Sequence, residues 1–471
     1  MQYYSLQKQS PNVDFRTAAI TGQAPDKGLY FPMEIPKFTA AQIENFKTLD
    51  KASLAFEVMR PYVGGTIDDA TLKIICVETI NFEFPLVPIT DTISSLELFH
   101  GPTLAFKDVG ARFMSRCLGY FSKQARAENA TANDHKSQED KTQGEKPNTV
   151  LVATSGDTGG AVANGFLGVA GVDVIILYPK GKVSPIQELQ LTTLGQNITA
   201  LEVDGSFDDC QAIVKEAFMD GELNAAYNLT SANSINVARW LPQQLYYFFA
   251  WQQWVAKYQD ADGNYPPMHI VVPSGNFGNI CAGMIAKESG LPLGHFVAAC
   301  NANDVVTRYM ATEKYEVKPS VVTVSNAMDV GNPSNFVRIL EMMQNNFTTL
   351  SNALTSYSIT DTDTKATIAR VYKTNNYILD PHGAVAFIAA EQFLLEQQVN
   401  NNTISTTDDA FNAGAIILET AHPVKFPEVV EEAIGQSLPI PASVQNLFEK
   451  EKVSIPLAPN YTSFKNWMIN K

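Results

Sequence analysis

The sequence predicts an α/β fold with a largely parallel sheet, and three observations carry that expectation. From Asn148 onward, short apolar runs of strand length alternate with longer amphipathic stretches, the arrangement that lays helices over parallel strands. Residues 149–153, 161–168 and 172–178 read in turn as strand, helix start and strand, which is one βαβ unit. Residues 198–203, 269–272 and 415–418 repeat the strand pattern, with helical stretches between them.

Taken in chain order, residues 1–95 differ from the remainder of the chain. They are more mixed and are jointed at Pro32, Pro36, Pro85 and Pro88, which marks a separate N-terminal unit. A second unit covers 96–240 and a third 241–471. Inside the second, residues 124–147 are nearly all polar; such a run buries too little apolar area to offset its ordering entropy and is expected as an exposed, mobile insertion. Residues 400–409 form a second polar stretch expected as a loop.

Composition limits the function. A chain of 471 residues, 45% hydrophobic and 18% charged, is long enough for two or three packed units, and no apolar run is long enough to span a bilayer. Met1-Gln2-Tyr3-Tyr4-Ser5 has neither a basic nor an apolar leader pattern, so a soluble cytoplasmic protein is expected. A net charge of −15 opposes nucleic acid and anionic membranes as partners. The five cysteines are widely separated, which predicts buried free thiols and no metal site.

Three segments and two single residues can carry chemistry. The strand ending at Pro273 runs into Ser274-Gly275-Asn276-Phe277-Gly278-Asn279 and then a helical stretch. A turn of this kind converges backbone N–H groups at a helix N-terminus, where an anion is favoured; its glycines alone also suit an ordinary strand-to-helix turn. Ser155-Gly156-Asp157-Thr158 occupies the same position after the strand 149–153 and suits a carboxylate or phosphate, although capping by Ser155 or Asp157 fits equally well. Lys107 lies among apolar neighbours in His100-Gly101-Pro102-Thr103-Leu104-Ala105-Phe106-Lys107-Asp108. An amine so placed tends to a lowered pKa, which helps it form Schiff bases; snorkelling to solvent or pairing with a carboxylate such as the adjacent Asp108 is the alternative. Arg239, with Ser234 and Asn236, can clamp a phosphate or make a surface ion pair. Thr420 closes an apolar strand, at the end where open α/β folds bind ligands, but can equally be a turn residue.

In this order, together with Phe15-Arg16-Thr17-Ala18-Ala19, Gly28-Leu29-Tyr30-Phe31-Pro32, residues 325–335, Asp380-Pro381-His382-Gly383-Ala384-Val385 and Thr420-Ala421-His422-Pro423-Val424-Lys425-Phe426, these segments resemble threonine synthase, of the tryptophan-synthase-β-like (fold type II) pyridoxal-phosphate enzymes. The likeness runs over nearly the whole chain. It implies two open, mostly parallel sheets with flanking helices, preceded by an N-terminal threonine synthase domain over 1–95, a smaller α/β domain over 96–240 and a larger cofactor domain over 241–471. It implies pyridoxal 5′-phosphate as cofactor and O-phospho-L-homoserine as substrate, converted with water to L-threonine and phosphate. Lys107 would be the Schiff-base lysine and proton carrier, residues 274–279 the cofactor-phosphate loop, and Thr420 the partner of the pyridine nitrogen. Ser155, Gly156, Asp157 and Thr158 would receive the amino-acid part of the substrate, and Ser234, Asn236 and Arg239 its phosphate. Relatives of this kind imply a monomer more than a dimer. The rival readings are a phospho-lyase giving 2-oxobutyrate from the same substrate, a serine or threonine dehydratase, and a non-catalytic amino-acid-binding scaffold; retention of Lys107 speaks against the last.

Overall fold

The central strand of the smaller sheet shows why these apolar runs fold as they do. Val172–Pro179 has seven of its eight residues buried, as a strand covered on both faces requires. The structure, a computed structural model, describes residues 1–133, 148–402 and 414–471. Its strands in chain order are β1 (Gln2–Ser5), β2 (Val13–Asp14), β3 (Tyr30–Pro32), β4 (Leu86–Pro88), β5 (Ile93–Glu97), β6 (Asn148–Ala153), β7 (Val172–Pro179), β8 (Ile198–Val203), β9 (Asn228–Thr230), β10 (Met268–Pro273), β11 (Phe296–Cys300), β12 (Leu354–Ser358), β13 (Gly414–Glu419) and β14 (Ile455–Leu457).

Three sheets result. β2-β1-β3 is a small antiparallel sheet at the N-terminus. The large sheet has the order β12-β11-β10-β13-β5-β4, parallel except for the antiparallel edge strand β4. The smaller sheet, β14-β8-β7-β6-β9, is parallel throughout. Two mostly parallel sheets are what the family resemblance implies.

The sheets cross the divisions expected at residues 95 and 240. β4 and β5 belong to the large sheet, where Ile93 to Glu97 pair with Ala415 to Glu419, and β14 returns from the C-terminus to pair with β8. Apolar burial explains both crossings: four of the five β5 residues are buried, and Phe464 and Met468 of the helix Tyr461–Ile469 enter the core under the smaller sheet.

A single large apolar core joins the N-terminal helices, the smaller sheet and the helix Leu245–Tyr258, which buries nine side chains including Phe248, Trp251 and Trp254. A second core lies between the large sheet and the helix Pro381–Asn402.

The expected insertion at 124–147 is corrected in its first part. The helix Lys107–Asn133 continues through it, because Gln124, Ala125, Arg126, Ala127 and Glu128 are strong helix formers whatever their polarity. Residues 134–147, and 403–409 of the second polar stretch, lie outside the described residues; Asn400, Asn401 and Asn402 end a helix. All five cysteines are buried free thiols. Among the described residues no helix is long and apolar enough to cross a membrane.

Candidate active site

The loops after β5, β6, β10 and β13 leave the C-terminal ends of parallel strands, the edge at which such sheets bind ligands. Lys107 is the first residue of its helix. The segment before it is laced to the Thr420 segment: Phe106 N donates to Thr420 O at 2.9 Å, His422 N donates to Leu104 O at 3.0 Å, and Ala105 bridges Ala421. The Tyr246 hydroxyl donates to the Phe106 carbonyl. Leu104 takes a left-handed φ of 59° to make this bend.

Asp108 does not pair with Lys107. Its carboxylate accepts from Thr103 N at 2.9 Å and Thr103 Oγ1 at 2.6 Å, which fixes the bend from inside. Lys107 Nζ faces Asp157 Oδ2 at 3.9 Å, and its side chain is 17% exposed. Burial pulls the amine down to about 8, with help from the charges of Lys425 and Arg239 and against that of Asp157. A position at a helix N-terminus also disfavours an ammonium.

The Asp157 loop is built by its neighbours. The Thr154 hydroxyl accepts from Gly156 N at 2.9 Å and Gly159 N at 2.8 Å, winding residues 154–159 into the first turn of the helix Asp157–Phe166. Gly156 has φ 136°, and a Cβ there would strike the Gln187 side chain, so only glycine fits. Ser184 caps the helix Pro185–Thr192 in a capping box with Gln187. That cap turns the amide so that Gln187 Nε2 donates to Asp157 Oδ1 at 2.9 Å. Lys425 Nζ, fully buried, meets the same oxygen at 2.7 Å. Burial raises the Asp157 carboxyl, but the Lys425 and Lys107 charges and the Lys425 and Gln187 hydrogen bonds outweigh it and hold the group well below the usual range. The Asp157 carboxylate therefore faces two lysines, while Ser155 and Thr158 are half-buried at the loop's outer side.

The 274–279 turn has the form of a phosphate cradle. Ser274 is anchored to the sheet through N to Ala299 O and Oγ to Val272 O, both 2.8 Å. Phe277 takes a left-handed φ of 60° as N-cap of the helix Gly278–Glu288, strain of a kind found at ligand clamps. The first backbone bond back into the turn is Cys281 N to Phe277 O at 3.2 Å, so the N–H groups of the first helical turn point out of the helix end. Asn279 Oδ1 accepts from the Tyr247 hydroxyl at 2.8 Å, and its buried Nδ2 has no hydrogen-bond partner among the described residues. Asn276 is clamped from outside by Ser334 Oγ at 3.2 Å, and Gly275 lies so close to Met328 that a Cβ would meet its Cα at 2.7 Å.

A buried network joins this cradle to Thr420. Asp380 Oδ2 accepts from Ala421 N at 3.1 Å, its Oδ1 pairs with His382 Nδ1 at 2.8 Å, and His382 Nε2 accepts from Ala327 N at 3.2 Å, beside Met328. Glu419 Oε1 accepts from Asp380 N at 2.6 Å.

The expected phosphate clamp does not assemble. Asn236 is fully buried; its Nδ2 donates to Ala19 O at 2.8 Å and its Oδ1 caps Ala238 N at 2.9 Å, so both ends of the amide hold the fold and Asn236 is removed from the substrate candidates. Ser234 Oγ accepts from Asn335 Nδ2 at 3.1 Å beside the cradle, away from Arg239. Arg239 is buried, donates Nη1 to Ala232 O at 2.8 Å, and keeps Nε without a partner among the described residues; burial lowers it to about 10. Sequence reasoning passed over Gln187 and Tyr246, and included Asp380 and Lys425 in longer segments without giving either a role. The one available signal was a lysine between Val424 and Phe426 in an otherwise apolar run.

A half-buried amine, a helix N-terminus with an amide beside it that is unpartnered among the described residues, and a hydroxyl at a strand end define, with two mostly parallel sheets, a fold type II pyridoxal-phosphate-dependent enzyme. Comparison with known proteins carries this further. The family model described as pyridoxal-phosphate dependent enzyme matches residues 95–407, that of the threonine synthase N terminus residues 2–80, and that of the threonine synthase C-terminal region residues 384–467. Threonine synthase of Serratia marcescens is 38% identical, with 100% of this chain and 99% of that one covered. Among solved structures, PLP-bound threonine synthase from Brucella melitensis superposes with a TM-score of 0.87 at 32% identity over 100% of this chain and 99% of its own. Threonine synthase from Escherichia coli gives 0.84 at 36% over 100% of both. The chain belongs to the threonine synthase family.

Proposed function

We propose that the chain converts O-phospho-L-homoserine and water to L-threonine and phosphate, with pyridoxal phosphate bound at Lys107. The observation that carries the reading is the position of the Lys107 amine: it is half-buried, lowered to about 8 and tied through Phe106 to the Thr420 strand end. The residues present fit the cofactor. The N–H groups of 275–279 and the unpartnered Asn279 amide suit its phosphate; the Thr420 hydroxyl suits a ring nitrogen without adding charge. Bound there, the cofactor supplies an electron sink for the substrate carbons.

The protein's own groups do the rest. Ser155, Gly156 and Thr158, at the start of the helix Asp157–Phe166, orient the amino-acid carboxylate, with the Asp157 carboxylate turned inward to the lysines. Lys107, once released, removes the proton at Cα and one at Cβ as phosphate leaves from Cγ, delivers a proton to Cγ, and returns one to Cα as water adds its hydroxyl at Cβ and gives up its other proton, as an amine titrating near neutral pH can in either direction. Arg239 keeps an uncommitted donor and supplies positive charge for the phosphate that leaves from Cγ; Ser234 is placed at the cradle. The chain acts in the cytoplasm as a monomer.

The test is an absorbance spectrum of the purified protein, titration with phosphohomoserine, and assay of both threonine and 2-oxobutyrate. Threonine is expected as the main product, and Lys107→Ala is expected to abolish both turnover and the cofactor's lysine-dependent visible band. A band unchanged in Lys107→Ala, or 2-oxobutyrate as the main product, overturns the reading. Arg239→Gln is expected to raise KM for the phosphorylated substrate.

A further inference from the structure

Two lysines face one carboxylate, and they are held very differently. Lys425 Nζ has three acceptors for its three N–H groups: Asp157 Oδ1 at 2.7 Å, Thr103 O at 2.8 Å and Gln190 Oε1 at 3.2 Å. The first lies at charge-assisted hydrogen-bond length. Gln190 is itself held, through Nε2 to Thr103 O at 3.1 Å. Lys107 Nζ, by contrast, reaches only the other oxygen, Asp157 Oδ2, at 3.9 Å, beyond hydrogen-bond range. Thr103, Asp157, Gln190 and Lys425 come from four separate segments, so this is a constructed site.

Resting on the reading of Lys107 as the cofactor-binding amine, we propose that Lys425 is a positioning residue: it takes the hydrogen-bonding engagement of Asp157, so that Lys107 keeps only a long contact with the other carboxylate oxygen and stays available as nucleophile and base. A single carboxylate between two ammonium groups favours the shorter, hydrogen-bonded pair, and the second amine then faces a carboxylate whose charge is partly compensated. The other charged groups around the two amines fit this arrangement. Arg239 repels Lys107, Asp108 is turned to Thr103, and His422, beside Lys425, is driven down to about 4 by burial first and then by His100, which leaves it neutral. Burial is the first cause that lowers the Lys107 amine; of the charges around it, Asp157 raises it and Lys425, next in weight, lowers it.

The test uses the full chain freed of cofactor and follows the rate of pyridoxal-phosphate capture by visible absorbance as a function of pH. Lys425→Met leaves Asp157 to pair with Lys107 and is expected to move the midpoint of capture upward by roughly one pH unit or more. Asp157→Asn removes the attraction and keeps Lys425, so its midpoint is expected to move downward. The double variant Asp157→Asn/Lys425→Met is expected to fall back towards the wild type, and Lys425→Arg to behave as wild type. A merely structural role gives no such opposed shifts. An unmoved midpoint in folded Lys425→Met overturns the proposal, as does an upward or absent shift in Asp157→Asn; where Lys425→Met does not fold, Asp157→Asn decides alone. Should the reading of Lys107 itself fail, wild-type and Lys107→Ala proteins show the same capture signal, which separates that failure from this one.

Discussion

The Tyr246 hydroxyl donates to the main-chain carbonyl of Phe106, the residue immediately before Lys107. Tyr246 stands on the buried helix Leu245–Tyr258, so the placement of the amine is referred to the largest apolar core of the molecule. Tyr246→Phe leaves that carbonyl unsatisfied, and a loss of about 1–3 kcal/mol in denaturant unfolding is expected. With the bend loosened, kcat should fall roughly 10-fold to 100-fold with little change in cofactor content. An unchanged kcat would show that Phe106 is held well enough by Thr420 alone.

Gly156 combines φ 136° with direct contact on Gln187. Gly156→Ala is expected to cost about 1–3 kcal/mol in backbone strain and to push Gln187 off Asp157. Thermal unfolding should show the first effect and a raised KM for substrate the second.

Asn236 makes the opposite case. Asn236→Ala removes a helix cap worth about 1 kcal/mol and leaves the Ala19 carbonyl unpaired, so stability should drop by about 2 kcal/mol while KM for phosphohomoserine stays within about twofold. A large rise in KM without loss of stability would return Asn236 to the substrate site.

Glu419 is buried at the end of β13. Burial first, then the Asp380 carboxylate, hold its carboxyl well above the usual range. The folded protein therefore keeps a proton that the unfolded chain releases above about pH 4.3. The stability linked to that proton is full below this pH and is lost as pH rises through the folded value. Glu419→Gln keeps an acceptor for Asp380 N without the proton. The two proteins should melt alike near pH 4, with the wild type falling behind as pH rises; parallel curves throughout would contradict the protonated state.

Much of this was legible in the sequence, for physical reasons. Strands buried on both faces, such as β7 and β13, announce themselves by apolar runs, residues 174–179 after Asp173 in the one and 414–418 before Glu419 in the other. β12, Leu-Thr-Ser-Tyr-Ser at a sheet edge, and β5, with two buried serines, carry no such signal. Lys107 and residues 274–279 were readable because each functional group sits within one short segment. Lys425 was not, since its meaning lies in partners more than 200 residues away in the chain. Asn236 misled because an asparagine before a helix serves equally as a cap or a ligand until its neighbours are known.

The order of the large sheet bears on how the enzyme is made. β13, at residues 414–419, inserts between β10 and β5, so β5 has no neighbour to hold it beside β10 until those residues have been synthesised. Lys107, synthesised early, waits on Thr420 and Lys425, synthesised late. A chain that stops before residue 414 therefore carries the lysine without the Thr420 strand end and without Lys425 beside Asp157.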